Sequence, residues 1–299
     1  MVEERPLISI GMASHNGEKT LSSAISSLLT QSYENWELVM IDDGSSDRTL
    51  EIVLGFKDAR IQVHTDGERS GLPARLNQAV SLSRGEFFAR MDADDIAYPQ
   101  RLELQLDYLL AHPEVDLVGA QVLIFDDQGH ASGKREFPEH HEAVAAKPWS
   151  GFRIAHPAFM GRLQWFRRFP YDEGLLKAQD QDLLLRACPT SRFANVPTIL
   201  LGYRQDRITL KKLWVSRAYH TRALYRAFSE QAWKLVKALS LQAFKISIDT
   251  LAFALGLKQG LLRRRSTSVS ELERLEWEGI WRHVHQESQV QPVQRDGQA

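Results

Sequence analysis

Over its first 125 residues the chain alternates short apolar runs with longer stretches of helical spacing, and two of those runs stop on clusters of aspartate. Strand then helix, repeated, is the pattern of βαβ units that close into a largely parallel sheet. Leu7 to Met12 reads as a first strand, and a helix from about Thr20 to Thr30 follows a polar loop. Trp36 to Ile41 is a second strand. It ends on Asp42-Asp43-Gly44-Ser45-Ser46-Asp47, a cluster suited to a turn and to capping a helix over Arg48 to Phe56. Ile61 to His64 is a third strand, Leu72 to Ser83 a helix, and Phe87 to Met91 a fourth strand that ends on Asp92-Ala93-Asp94-Asp95. Both acidic clusters thus fall at carboxyl ends of strands, the edge where open α/β sheets bind ligands.

Further along, a helix is expected over Gln100 to His112, an apolar run over Val115 to Phe125, a helix starting near Asp182 and a last strand over Val196 to Tyr203. Residues 130–160, rich in His and Pro, give no assignable pattern, and no internal repeat is present. Past Lys211 the chain turns helical in propensity, with no proline until Pro292, and Gln289 to Ala299 reads as a disordered tail. Charge divides the chain at the same place. Residues 1–210 carry 22 basic and 30 acidic side chains, residues 211–265 carry 12 and two, and the 299-residue whole has a net charge of −1. The basic stretch suggests an anionic partner, a membrane surface or a nucleic acid. Nucleic acid is disfavoured because no reader motif accompanies the charge. No run of about 18 uncharged apolar residues exists for a spanning helix. Met1 to Pro6 offers no secretory signal, and the lone Cys188 permits neither an internal disulfide nor a multi-cysteine metal site. The expected location is the cytoplasm.

Three carboxylates in four positions, Asp92, Asp94 and Asp95, repel one another unless a cation or hydrogen bonds compensate. Hard divalent ions take such oxygen ligands, completed by substrate phosphates, although a solvated turn with capping aspartates would look the same. Asp42-Asp43 has the position of a carboxylate that accepts from a nucleobase or ribose, with an Asx turn as the plain alternative. No Gly-x-Gly-x-x-Gly or Walker lysine loop follows the first strand, which disfavours a nicotinamide dehydrogenase or P-loop enzyme. In Gln179-Asp180-Gln181-Asp182-Leu183, placed just ahead of a helix, Asp182 reads as an N-cap and Asp180 as a base within reach of an attacking hydroxyl.

These motifs, in this order, resemble the family-two inverting glycosyltransferases. The resemblance is close from Leu7 to Gly129 and looser to Arg204. It rests on Ser14-His15-Asn16, Ser26 to Leu38, Ile41 to Thr49, Gly71 to Asn77, Gly85 to Asp95, Pro99-Gln100-Arg101-Leu102, His156-Pro157 and Asp180-Gln181-Asp182-Leu183. It implies an α/β GT-A fold, Rossmann-like, with a mostly parallel central sheet flanked by helices and a C-terminal helical extension. Residues 1–210 would be the catalytic domain, with 1–125 the nucleotide-binding half and 126–210 the acceptor half. Residues 211–288 would form the basic extension. Ala13, Ser14, Asn16, Asp42, Asp43, Arg75, Asp92, Ala93 and Asp95 would serve the donor, Asp94 and Asp92 a Mn²⁺ or Mg²⁺ ion, His156 and Arg162 the acceptor. Asp180 would be the base.

The chain departs from the family pattern at Gln179, where an acidic residue is usual, and at His15, where a tyrosine is usual. No Gln-x-x-Arg-Trp signature follows Asp180, which favours single addition over processive synthesis. One of Trp149, Phe152 and Trp165 is a candidate sugar platform. The expected activity moves one sugar from a nucleotide-diphosphate sugar, a UDP-sugar by preference, to a glycan or lipid-linked acceptor. Residues 211–265 would either dock on the inner face of a membrane or cap the catalytic body. The alternatives are a non-catalytic nucleotide-sugar-binding or scaffolding protein of the same fold and a nucleotidyltransferase.

Overall fold

The computed structural model describes residues 5–205, 209–255 and 266–290. Four parallel strands form its first half: β1 (Ile8–Ser14) lies between β2 (Trp36–Asp42) and β4 (Phe87–Asp92), and β3 (Ile61–Thr65) is outside β2. Every residue of β2 is buried, as expected of a strand covered on both faces. The crossovers are α1 (Leu21–Leu29), α2 (Thr49–Gly55) and α3 (Leu72–Leu82).

The second half contains β5 (Ile96–Ala97), α4 (Arg101–Ala111), β6 (Leu117–Phe125), β7 (Ala131–Arg135), α5 (His141–Val144), β8 (Met160–Arg162), α6 (Leu163–Arg168), α7 (Gln179–Ala187) and β9 (Phe193–Arg204). One nine-stranded sheet results, in the order β3-β2-β1-β4-β8-β6-β9-β5, with β7 on β6. Parallel pairing is confined to the first four strands and to β6 with β9, because β8 runs against both β4 and β6. The ladder of β6 and β9 slips from Ala120 opposite Val196 to Gln121 opposite Ile199. Pro197, which has no N–H to give, lies in the skipped pair. Residues 130–160 hold β7, α5 and two 3-10 turns, Pro148–Ser150 and His156–Ala158.

Among the described residues three helices follow: α8 (Leu210–Phe228), α9 (Ala232–Ala254) and α10 (Glu271–Val290). Thr209 caps α8 by accepting from the Lys212 N–H at 3.2 Å. α8 packs on α7 and α9, and Ala223, Leu224, Phe228 and Ala238 join one core with Leu183, Leu184 and Trp165. The described part of the basic segment, α8 and α9, therefore packs on the body that carries the sheet. α10 crosses back to α1 and buries Trp277 and Val284 against Tyr98, Leu123 and Phe125. Gln289 and Val290, expected to open a disordered tail, belong instead to α10; residues 291–299 and the Arg263-Arg264-Arg265 run lie outside the described residues. Among the described residues no helix is long and apolar enough to cross a membrane.

Candidate active site

Parallel register aligns three strand ends: Ser14 lies beside Asp42, and Ala13 beside Asp92. Against this edge opens a cleft of about 480 Å³, with Ala13, Ser14, His15 and Asp43 on one wall and residues 69–72, Leu176 and Lys177 on the other. Asp43 builds that second wall. Its Oδ1 accepts from the N–H groups of Ser70 (2.7 Å) and Gly71 (3.0 Å) and from Arg75 Nε (2.9 Å). Gly71 has φ +86°, a conformation costly for any residue with a Cβ, and it opens α3. Arg75, 3% exposed, also holds Asp66 at 2.6 Å, so it serves the cleft through Asp43 and does not line it.

Asp42 is buried beneath, accepting from Ser45 N–H (3.1 Å) and Thr65 Oγ1 (3.2 Å), while its Oδ1 has no protein partner. The Asx turn thus describes Asp42, and Asp43 is the one facing the cleft. Asn16 is also structural. It sits at φ 55°, where asparagine is tolerated, and its Oδ1 accepts from Ser46 N–H at 2.9 Å. His15 Nδ1 donates to Asp43 O at 2.9 Å.

Asp92, Asp94 and Asp95 each offer a carboxylate oxygen within 4.8 Å of the others. Burial, then Asp92, pushes the Asp94 carboxyl up to about 6. Burial, then Asp92 and Asp94, pushes Asp95 well above the ordinary range. Arg90, fully buried in β4, is ion-paired with Asp92, and its Nε and Nη1 have no partner. Arg204 donates its N–H to Asp95 Oδ1 and its Nε to the Asp94 carbonyl, both at 2.9 Å. Asp95 Oδ2 is buried and has no partner among the described residues. An orphaned carboxylate oxygen beside two proton-seeking carboxyls, all hard oxygen donors, fits a divalent cation of the Mg²⁺ or Mn²⁺ kind. Ala93, between them in sequence, is buried in the apolar core.

Asp180 lies in the first turn of α7, where the sequence placed it ahead of the helix. Ala178, the N-cap, has φ 55°, a strained value for alanine two residues before the candidate base. Gln181 fixes the Asp180 carboxylate: its Nε2 donates to Oδ2 at 3.0 Å while its Oε1 accepts from Phe152 N–H at 2.8 Å. Burial raises the Asp180 pKa, and the Gln181 hydrogen bonds and Arg90 pull the other way. Asp180 and His156 open together into a cavity of about 650 Å³. His156 Nε2 is 2.9 Å from Tyr171 Oη, and burial, then Arg90, keeps the ring neutral.

Several assignments change in the structure. Asp182 is no cap; it pairs with Arg186 at 2.8 Å within α7. Arg162 is not on the acceptor side, because β8 runs against β4 and sets Arg162 opposite Phe87, at the far end of the strand from Asp92. Its Nη1 donates to Val115 O at 3.2 Å. Trp165 is core, bonded to Ser191 Oγ at 2.8 Å, and Trp149 packs on Trp233; only Phe152 lines the cavity. The structure adds Arg90, Arg101, Tyr171 and Arg204. Arg101 is buried and donates to Arg90 O (2.6 Å) and Pro157 O (3.0 Å), tying β4 to the His156 turn. The signal for Arg90 was a lone cation inside the apolar run Phe87 to Met91.

The profile of glycosyl transferase family 2 matches residues 9–170. The chain belongs to that family. The family 2 chain is similar to the putative glycosyltransferase EpsE of Bacillus subtilis (strain 168), with 34% identity over 215 residues, 69% of this chain and 76% of that one. It is also similar to the UDP-Glc:alpha-D-GlcNAc-diphosphoundecaprenol beta-1,3-glucosyltransferase WfgD of Escherichia coli, with 44% identity over 104 residues, 35% of this chain and 41% of WfgD. The fold is that of S. aureus TarS 1-349, solved in complex with UDP-GlcNAc, at TM-score 0.62 and 19% identity over 94% of this chain and 81% of that one. The family 2 chain is thus a GT-A glycosyltransferase, and the scaffolding and nucleotidyltransferase alternatives fall.

Proposed function

We propose that this glycosyltransferase moves a single sugar, with inversion, from a UDP-sugar to a hydroxyl of a glycan or lipid-linked saccharide. One observation carries the reading: buried Arg90 is ion-paired with Asp92, and its charge also lowers the pKa of Asp180 and of His156, so the acidic cluster and the Asp180 cavity both lie within electrostatic reach of one guanidinium. The cleft of Ala13, Ser14 and Asp43 would take the nucleoside. Asp92, Asp94 and Asp95 would hold Mn²⁺ or Mg²⁺, which when bound supplies Lewis-acid stabilisation of the departing diphosphate. Asp180 accepts the proton of the attacking hydroxyl, whose oxygen bonds to the anomeric carbon as UDP leaves from the opposite face. Burial suits Asp180 to this role by strengthening it as a base. The UDP-GlcNAc complex of TarS and the activity for which WfgD is named favour this donor and acceptor class.

The test is UDP release from a panel of UDP-sugars with Mn²⁺ and extracted lipid-linked acceptors. Asp180→Asn is expected to lower kcat by about 10²–10⁴-fold while UDP binds as before. A loss smaller than about tenfold would remove Asp180 as the base.

A peripheral membrane position on the cytoplasmic leaflet is part of the proposal. On α9, Trp233, Val236, Phe244, Leu251 and Leu255 are each about three-fifths exposed and recur at helical spacing, forming one apolar stripe. Across residues 209–255 eight basic side chains oppose two acidic ones. An apolar stripe on a cationic pair of helices matches an anionic leaflet.

A further inference from the structure

The cavity that holds Asp180 and His156 has an unusual charge. Its other ionised lining groups are all cationic and come from separate elements: Arg135 from β7, Arg153 from the loop before the His156 turn, Arg217 from α8 and Lys245 from α9. Asp180 is the single carboxylate of the lining. Arg217 is matched from behind by Asp249 at 3.1 Å, and Lys245 Nζ donates to Ser150 O at 3.0 Å. The Arg135 guanidinium lies over the Tyr203 ring at 5.2 Å, and its Nε is buried without a hydrogen-bond partner. His220, also in the lining, has its Nε2 buried and unpartnered. Arg153 stands exposed at the rim. A neutral saccharide does not call for four cations, and a single carboxylate is answered by one arginine fork. Cations converging from four elements, with unpartnered donors among them, suit a dianion.

We infer that the wall of Arg135, Arg153, Arg217 and Lys245 is a phosphate subsite, and that the acceptor carries a phosphodiester or diphosphate next to the hydroxyl that Asp180 deprotonates. This rests on the reading of the cavity as the acceptor side. The subsite shares no lining residue with the Asp92–Asp95 cluster, to which the proposed function assigns the donor's own diphosphate. It also gives the basic α8 and α9 a task inside the enzyme, besides the outer apolar stripe.

Calorimetry with inorganic pyrophosphate on the full chain, with UDP and Mn²⁺ saturating so that the donor end is filled, tests the subsite. Binding is expected, weakened on the order of tenfold in Arg135→Gln and in Arg153→Gln, the loss of one charge-assisted contact. UDP affinity reports folding in each variant, and exposed Arg153 keeps the test valid if Arg135→Gln does not fold. Asp180→Asn should bind pyrophosphate like the parent, so the base assignment and the subsite fail separately. A short polyprenyl diphosphate and a water-soluble polyol-phosphate oligomer, added in turn, distinguish a lipid from a polymer source; displacement of pyrophosphate by either supports the subsite. No pyrophosphate binding, binding indifferent to both arginine variants, or displacement by neither compound overturns it.

Discussion

His220 is 8% exposed and lines the Asp180 cavity together with Arg217, three residues before it on α8, and Lys245 of α9. Burial, then Lys245 and Arg217, brings its pKa down from 6.5 to about 4. The unfolded chain takes up the proton more readily, so the stability from burying a neutral ring is complete above about pH 6.5 and is lost as pH falls toward 4. Between pH 7.5 and pH 5 the stability read from urea unfolding is expected to fall less in His220→Gln than in the parent, a difference of at most about 2 kcal/mol. An equal drop would show that the ring titrates normally. Asp94 has the opposite sign. Its carboxyl is raised to about 6, so the protonated form is favoured in the fold and stability declines as pH rises through that value. A cation on the cluster reverses the decline, and Mn²⁺ is expected to raise Tm more at pH 7.5 than at pH 5, with the rise absent in Asp94→Asn. The aspartates were legible in the sequence because strand ends display them. Arg90 showed only as a lone cation in an apolar run, and Arg204 was not legible, because it comes from a strand more than 100 residues further along that the sheet sets beside the cluster.

At the scale of elements, α10 is held by one residue above others. Trp277 is fully buried, packs on Phe125 with ring centroids 4.7 Å apart, and donates Nε1 to Gly129 O at 2.7 Å. Gly129 has φ +83°, and a Cβ there would lie 2.2 Å from the Trp281 ring, so the turn after β6 and the helix are fitted to each other. Trp277→Ala should cost about 3–5 kcal/mol in urea unfolding, and Trp277→Phe, which keeps the ring and drops the donor, about 1 kcal/mol. If both cost alike, the hydrogen bond carries the helix. The first four strands and their helices were readable because hydrophobic period and capping residues agree there. β7, β8 and α5 were not: they are three to five residues long, too short for any period; β7 and β8 exist through pairing with β6 and β4, and α5 through packing on β9. The acceptor role given to Arg162 failed for the same reason. Nothing local announces that β8 reverses.

At the scale of the molecule, the uneven charge divides in two. Inward, α8 and α9 lend Arg217 and Lys245 to the cavity of Asp180; outward they present the apolar stripe of Trp233 to Leu255. Flotation with vesicles of anionic or neutral lipid separates the proposed contributions: binding to anionic vesicles is expected, weaker in high salt, and reduced by Phe244→Asp. Equal flotation on both lipids would reject the electrostatic part. The return of α10 has a consequence for how the chain is made. Translation delivers Tyr98 and Phe125 more than 100 residues before the tryptophans that cover them, so the nascent sheet emerges from the ribosome with an aromatic surface bare. A premature stop shortly after α9 would leave every proposed catalytic carboxylate in the product, yet release a chain prone to stick to its neighbours.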